Sequence, residues 1–369
     1  MKTLQLVPAM EQGGVERGVT EVNRAMIAAG WDNVVVSAGG RLADVIVKDG
    51  GRHVTMDVKS KNPLTFFSRA KKLQRLLEAE KPDVVCVHSR VPAWLFLWAN
   101  RNLRLRWISF AHGANSVSAY SKVMTYGDLT VTPSRYIADY LKSHYPLGEE
   151  NIRVIPRAID REKFDTLKLD AVFIAAKRAE WRTDGSFTVM GVGRITQLKG
   201  YDILIRAVAK LPERFRLVIV GEAEELRRDV EESLRALAAD LGVEDRVVFA
   251  GNQSKIAECL TIADVVVSSN VKKPEAFGRS MAEALAMDRP VVAKAFGGAL
   301  DIVRDGIDGV LVAADGSRPY EDEFAQAIEK VSRMKFASLR EDALERFDFT
   351  KMIERSLAVY RELAENAKR

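Results

Sequence analysis

Two glutamates, Glu275 and Glu283, flank a small-residue turn in "PEAFGRSMAEALA", residues 274–286, and the turn runs into a helical pattern. Gly278, Arg279 and Ser280 fall at the start of that pattern. Backbone N–H groups and the positive end of a helix dipole there make an anion seat suited to a diphosphate. A carboxylate does not bind phosphate, but it accepts from two vicinal hydroxyls at once. The acids are therefore expected to face hydroxyls: Glu275, on the loop with Ala276 and Phe277, a sugar on one side of the diphosphate, and Glu283, inside the helix, a ribose on the other. Upstream, "VGRITQLKG" puts Arg194 and Lys199 on one loop at the end of an apolar run. Two cations so placed neutralise a diphosphate, and they act most on a leaving one, whose charge grows as its bond breaks. "EQGGVERGV" contributes the pair Gly13 and Gly14, where the backbone can approach a bulky ligand. "SFAHGAN" contributes His112 at a strand end, and "KAFGGALDI" a second pair, Gly297 and Gly298, expected to bring N–H groups near the same ligand. Together these residues describe a site for a nucleotide-sugar.

Such loops need rigid supports, and the sequence supplies them. Apolar runs of strand length occur at 4–7, 34–36, 84–88, 107–111, 129–132 and 154–155, then at 189–192, 217–220, 247–249, 265–267, 291–293 and 310–312, with amphipathic segments between them. Continuous Val/Ile/Leu runs alternating with helical patterns predict parallel strands covered on both faces. The expected class is α/β, one doubly wound Rossmann-like sheet in each half. Ligands bind beyond the carboxyl ends of such strands, which is where the residues above lie. The charged stretch 165–186 fits neither sheet. The expected division is an N-terminal domain over 1–165, a C-terminal domain over 166–345 and a terminal helix over 346–369 packing back toward the first. The first glycine pair lacks the G-x-G-x-x-G spacing, so a nicotinamide or flavin gains no support from it.

Composition sets the outer limits. A chain of 369 residues, 47% hydrophobic and 29% charged, is long enough for two cores, and no apolar run approaches the ~20 residues of a spanning helix. The first residues carry one lysine and a short apolar run broken by Pro8 and Glu11, so export is not expected. Cys86 and Cys259 are far apart and read as small core residues of a protein in a reducing compartment, with no zinc cluster. The net charge of +5 suits an anionic partner without choosing one. Basic residues are spread over both halves without an aromatic-basic module, so nucleic acid is not an expected partner. Residues 59–81 set Phe66 and Phe67 beside Lys59, Lys61, Arg69, Lys71, Lys72 and Arg75, and residues 94–107 follow "WLFLW" with three arginines. These stretches read either as a basic aromatic face for an anionic membrane or as core helices with solvated sides.

At these residues the sequence resembles the retaining glycosyltransferases of family 4, which have the two-domain GT-B architecture. "PEAFGRSMAE" matches that family's E-x7-E element, "VGRITQLKG" its phosphate loop, "EQGGVERGV" its N-terminal glycine loop and "GGALDIVRDGIDGVLV" its last donor segment. The resemblance implies two Rossmann-like domains facing across a cleft, the first binding the acceptor and the second the donor. It implies sugar transfer from a nucleotide donor, UDP- or GDP-linked, to an acceptor hydroxyl with the anomeric configuration retained and with no metal or other cofactor. Donor contacts would fall to Arg194, Lys199, Glu275, Gly278 and Glu283, and His112 would meet the donor sugar from the other domain. No nucleophile stands out, and the resemblance implies attack on the face of departure, with the leaving phosphate accepting the acceptor's proton. Two departures are visible: "PRAID" puts Arg157 and Ala158 where the family commonly has Asn-Gly, and "GGALDI" lacks the usual Pro-Glu, with Asp301 in the acid's place. The expected acceptor is a glycan or lipid-linked glycan of lipopolysaccharide core or cell-surface polysaccharide, and the expected location cytoplasmic, peripheral on the inner face of the plasma membrane. A sugar-nucleotide epimerase and a binding protein without activity are the alternatives.

Overall fold

The computed structural model describes residues 1–11, 13–313, 316 and 318–366. Gln12, within the first glycine loop, and 367–369, at the end of the expected terminal helix, lie outside the described residues. The chain forms two compact units, Met1–Arg157 with the residues from Thr350 on, and Ala158–Phe349.

The first unit holds seven strands: β1 (Lys2–Leu6), β2 (Asp32–Ser37), β3 (Arg52–Thr55), β4 (Val84–Val87), β5 (Arg106–Phe110), β6 (Leu129–Thr132) and β7 (Ile152–Val154). Their order is β3-β2-β1-β4-β5-β6-β7, and every pairing is parallel. The second unit holds β8 (Phe187–Val192), β9 (Phe215–Val220), β10 (Val247–Gly251), β11 (Val265–Ser268), β12 (Val291–Lys294) and β13 (Gly309–Val312), in the order β10-β9-β8-β11-β12-β13, again all parallel. All twelve expected runs are strands. The one missed, β3, is an edge strand whose sequence "RHVT" has no apolar run.

The continuous apolar character of the strands follows from burial on both faces. In the second unit Met190, Val218, Val266 and Val291 enter one core cluster, while their neighbours Val189, Leu217, Val265 and Val292 enter another. Alternate residues of each strand thus fill opposite layers.

The division falls between Arg157 and Ala158, not at 165/166, because Ile159 and Phe164 belong to the second unit's core. The stretch 165–186 belongs there too. Asp170 caps the helix Ala171–Glu180 by accepting from the Phe173 N–H at 2.9 Å, and Trp181, 1% exposed, closes it against the core. The return to the first unit begins at Thr350, within the helix Phe349–Asn366.

Candidate functional site

In the second unit the strand order reverses between β8 and β11, which are neighbours though not consecutive. Loops leaving the carboxyl ends at such a reversal are where doubly wound sheets bind ligands. The β8 loop carries Arg194 and Lys199, and the β11 loop carries Glu275 and ends at the helix Arg279–Ala286. Hydrogen bonds tie the two loops together. Ser269 Oγ donates to the Lys199 carbonyl at 2.9 Å, and Lys199 Nζ lies 2.5 Å from Glu275 Oε1. The same carboxylate oxygen accepts from Asn270 Nδ2 at 3.1 Å. The structure therefore pairs two residues that the sequence assigned to different parts of a ligand. Their chemistry permits both roles, since the ammonium has three donors and the carboxylate has further lone pairs for hydroxyls.

Arg194 stands apart from that pair. Its guanidinium meets Glu224, and its side chain is 73% exposed. Contact with a diphosphate would come through the reach of a long side chain, not a fixed position. Nothing in "VGRITQLKG" pointed to Glu224, which lies in the loop after the next strand.

Gly278 caps the helix Arg279–Ala286 with φ at 101°, a left-handed conformation that residues with a Cβ rarely adopt. Its carbonyl accepts from the N–H groups of Met281 and Ala282 at 3.0 and 3.4 Å. Ala276, Arg279, Ser280 and Glu283 are half-buried around this turn. Phe277 is not a ligand contact through its ring. That ring is 6% exposed and meets Phe347 edge-on at 5.6 Å, so it anchors the loop in the core. The pair Gly297 and Gly298 was expected to turn its N–H groups to the ligand, and it does something else. The Gly298 N–H donates to the Glu275 carbonyl at 2.8 Å, and a Cβ on Gly298 would stand 2.3 Å from the Phe277 carbonyl oxygen. These glycines let one backbone lie directly against the other, and so they hold the acidic loop.

In the first unit Gly13 is extended, with φ at −170°, and caps the helix Gly14–Ala28. A Cβ on Gly14 would meet nothing within 4 Å. No packing within the unit requires a glycine at 14, so the room it leaves is open to a ligand.

His112 follows β5 and belongs to a hydrogen-bonded chain. Arg157 Nη2 lies 2.8 Å from His112 Nδ1, His112 Nε2 lies 2.9 Å from His88 Nδ1, and His88 Nε2 lies 3.1 Å from Gln5 Oε1. Gln5 Nε2 reaches Asn33 Oδ1 at 3.4 Å, and Asn33 Nδ2 donates to Asn23 Oδ1 at 2.8 Å. Arginine only donates, so the order of donors fixes both tautomers: His112 and His88 each accept at Nδ1 and carry the proton on Nε2. Both ring nitrogens of His112 are thus engaged inside the first unit. The sequence pointed to Arg157 only as a departure from a pattern, and it gave no role to His88 or Gln5. The available signal was a polar residue inside or closing an apolar run, as in "LQL" and "VVCVH".

Burial first, then the Arg157 charge, pushes His88 down to about 3. The same two causes, with His88 third, push His112 well below the ordinary imidazole value of 6.5. Both rings are neutral. An unfolded chain takes up these protons below pH 6.5 and the folded chain does not, so stability falls as the pH drops from 6.5 toward about 3. The expected ¹⁵N spectrum shows both rings in the Nε2-protonated form without titration through pH 6.5. A His112 ring that titrates there would break the chain as described.

These loops can be set beside known proteins. The family model described as "Glycosyl transferases group 1" matches residues 173–364, and that described as "Glycosyltransferase Family 4" matches residues 12–163. A D-inositol 3-phosphate glycosyltransferase of Acidothermus cellulolyticus is 33% identical over 261 residues, which are 68% of this chain and 55% of that protein. The chain thus spans about half the length of the curated relatives it matches. A glycosyltransferase from Rickettsia africae ESF-5 is 26% identical and matches over 99% of both chains with a TM-score of 0.89. Anabaena HepE, solved in complex with UDP and glucose, shares the fold at a TM-score of 0.82 and 20% identity, over 98% of this chain and 100% of its own. With its two parallel Rossmann-like sheets of the GT-B class, the chain belongs to the group 1 glycosyl transferases.

Proposed function

We propose that the protein is a retaining glycosyltransferase that moves a sugar from a nucleotide-sugar to a hydroxyl of a glycan or lipid-linked acceptor. The observation that carries this reading is the Lys199–Glu275 pair, tied by Ser269 and Asn270 beside the Gly278-capped helix at the strand-order reversal of the second sheet. The helix terminus and Lys199 would take the diphosphate, with Arg194 reaching in from its exposed position. Glu275 would accept from the sugar hydroxyls and Glu283 from the ribose. UDP- and GDP-sugars are the donors to try first, and the UDP complex of the Anabaena protein favours the former.

The second unit is the donor side on this reading. The first, to which Gly13, Gly14 and His112 belong, is the acceptor side. Since both His112 nitrogens are engaged, its part is to shape the site, not to carry a proton. On this reading the leaving phosphate takes the acceptor's proton on the face of departure, so the configuration is retained. A role in lipopolysaccharide core or surface polysaccharide synthesis, at the inner face of the plasma membrane, suits an acceptor of this kind. A solved neighbour of the same fold, WaaG, is described as involved in lipopolysaccharide biosynthesis, at 18% identity and a TM-score of 0.68 over 97% of this chain and 99% of its own.

Among the described residues no group of three or more His, Cys, Asp or Glu is placed to hold a metal ion. Lys199, Arg194 and the helix terminus supply the positive charge that a divalent cation would otherwise bring. The test is a panel of UDP-, GDP- and ADP-sugars with candidate glycan acceptors, run with and without EDTA, and the anomeric configuration of the product read by NMR. One donor is expected to give an axial or equatorial linkage matching its own, at equal rates in EDTA. An inverted product would remove the retaining reading, and loss of activity in EDTA restored by Mg²⁺ or Mn²⁺ would remove metal independence.

A further inference from the structure

The first unit contains a groove that the donor chemistry does not use. It lies among the short turn Pro63–Thr65, the helix Phe66–Glu80 and the helix Arg90–Asn100. Its volume is about 600 Å³, and its walls are mainly Pro63, Phe66, Phe67, Val91, Trp94 and Tyr120. That size falls within the roughly 300–1,000 Å³ of small-molecule sites.

Two exposed apolar side chains belong to this segment, Leu64, next to the lining residue Pro63, at 91% exposure and Phe67, which lines the groove, at 63%. The turn that presents Leu64 is held on both sides. Asn62 Oδ1 accepts from the Leu64 N–H at 2.9 Å, and the Asn62 carbonyl accepts from Arg69 Nη2 at 3.2 Å. Arg69 also donates to Thr65 Oγ1 at 3.1 Å and is itself buried. Arg69 is therefore a clamp for the turn and drops out of the basic face expected from the sequence. Lys59, Lys61, Lys71, Lys72 and Arg75 remain exposed there. Facing them are the carboxylates Asp57 and Glu78, while Glu80 is paired with Lys2 and Arg52. In "WLFLW" the two readings divide by residue: Leu95 and Phe96 are core, and Trp94 and Trp98 are half-buried at the surface.

We propose that this groove seats a hydrocarbon chain of an anionic membrane lipid, with Leu64 and Phe67 entering the acyl layer and the five cations meeting the headgroups. The inference rests on taking the first unit as the acceptor side of a glycosyltransferase. Three observations favour a lipid over other occupants. The tryptophans that a sugar ring would stack on are each engaged, since Trp94 stacks one face on Tyr120 at 6.3 Å and Trp98 meets Phe67 edge-on at 5.8 Å and Arg101 at 4.2 Å. A second copy would set the five exposed cations of this segment against the same five, on a chain whose net charge is already +5. Protruding leucine and phenylalanine in the same segment as five exposed cations, of which Lys61 lines the groove, match the chemistry of an anionic bilayer interface, in which Trp94 is already satisfied because its Nε1 donates to the Tyr120 carbonyl at 3.0 Å.

The test is co-sedimentation of the full chain with phosphatidylcholine vesicles, with and without phosphatidylglycerol, together with quenching of tryptophan fluorescence by lipids brominated along the acyl chain. Binding is expected only with phosphatidylglycerol, and added salt should weaken it. Each of Lys71→Gln, Lys72→Gln and Arg75→Gln should lower partitioning about fivefold. Leu64→Asn with Phe67→Asn should abolish quenching while the charge-dependent encounter persists. UDP and GDP titrations of the same variants report on the second unit, so a lost nucleotide site and a lost lipid site give different results. Equal recovery on neutral and anionic vesicles overturns the proposal. So do an unchanged quenching profile in the Leu64/Phe67 variant, binding of a lipid-free oligosaccharide in the groove, and a dimer that the Leu64/Phe67 variant dissolves.

Discussion

Lys199→Ala is expected to lower kcat on the order of 10²-fold or more while leaving the fold intact. The loop does not depend on the side chain for its shape, because Ser269 holds the Lys199 carbonyl and not its ammonium. What the substitution removes is a cation about one quarter exposed, partly withdrawn from water and fixed by Glu275 at 2.5 Å. A charge held in that way needs no reorganisation when negative charge builds on a departing diphosphate, so its loss falls on the transition state more than on donor binding. Lys199→Arg should restore activity only in part, since a planar guanidinium replaces a compact ammonium in a gap shaped by Glu275 and Asn270. Turnover near wild type in Lys199→Ala would refute the assignment. Arg194→Ala should cost less than Lys199→Ala, because a cation 73% exposed to solvent and paired with Glu224 contributes less than one partly withdrawn from water.

Glu275→Ala and Glu283→Ala should separate into two kinetic classes. On the proposed assignment, loss of Glu275 removes a sugar contact and also releases Lys199, so kcat should fall by tens of fold with nucleotide affinity near wild type. Loss of Glu283 would, on the same assignment, remove a ribose contact worth ~1–3 kcal/mol, so the donor KM and the nucleotide Kd should rise from about fivefold to about a hundredfold with kcat less affected. The double variant Lys199→Ala with Glu275→Ala supplies an internal control. Residues in direct contact do not act independently, and the pair should cost little more than the worse single change. Losses that multiply in full would show that the pair seen in the structure has no part in turnover.

The strand frame was legible because burial on both faces leaves a plain mark, an unbroken run such as Val265–Val267 or Val291–Ala293. β3 left no such mark, because a strand paired on one side only can be written "RHVT". Site residues were legible where a backbone constraint accompanies the chemistry, as at Gly278. Side-chain partners were not, because Glu275 reaches Lys199 across 76 positions and His88 reaches Gln5 across 83. No local spacing encodes either contact. The basic stretch was misread at Arg69 for a similar reason: a helix of mixed charge does not reveal which arginine turns inward until the Asn62 turn is in place. The boundary moved because Ile159 and Phe164 look like the tail of the first half and pack in the second.

The chain passes from the first unit to the second at Arg157 and back at Thr350. In genetic terms the second unit is an insertion, one continuous cassette whose two ends interrupt the gene for the first. The first unit is split in sequence, and Met352, Ser356 and Tyr360 from its distal piece share a small cavity with Gln5, His88 and Arg157 from its proximal piece. A fragment cut at residue 157 would lack that wall and leave the polar chain beneath it open to water. Residues 158–349, by contrast, can be lifted out whole and replaced by the equivalent stretch of a relative. On the proposed reading, recombination at these two joints would change the donor while keeping the acceptor side, a route by which one ancestral gene can yield enzymes that decorate the same acceptor with different sugars.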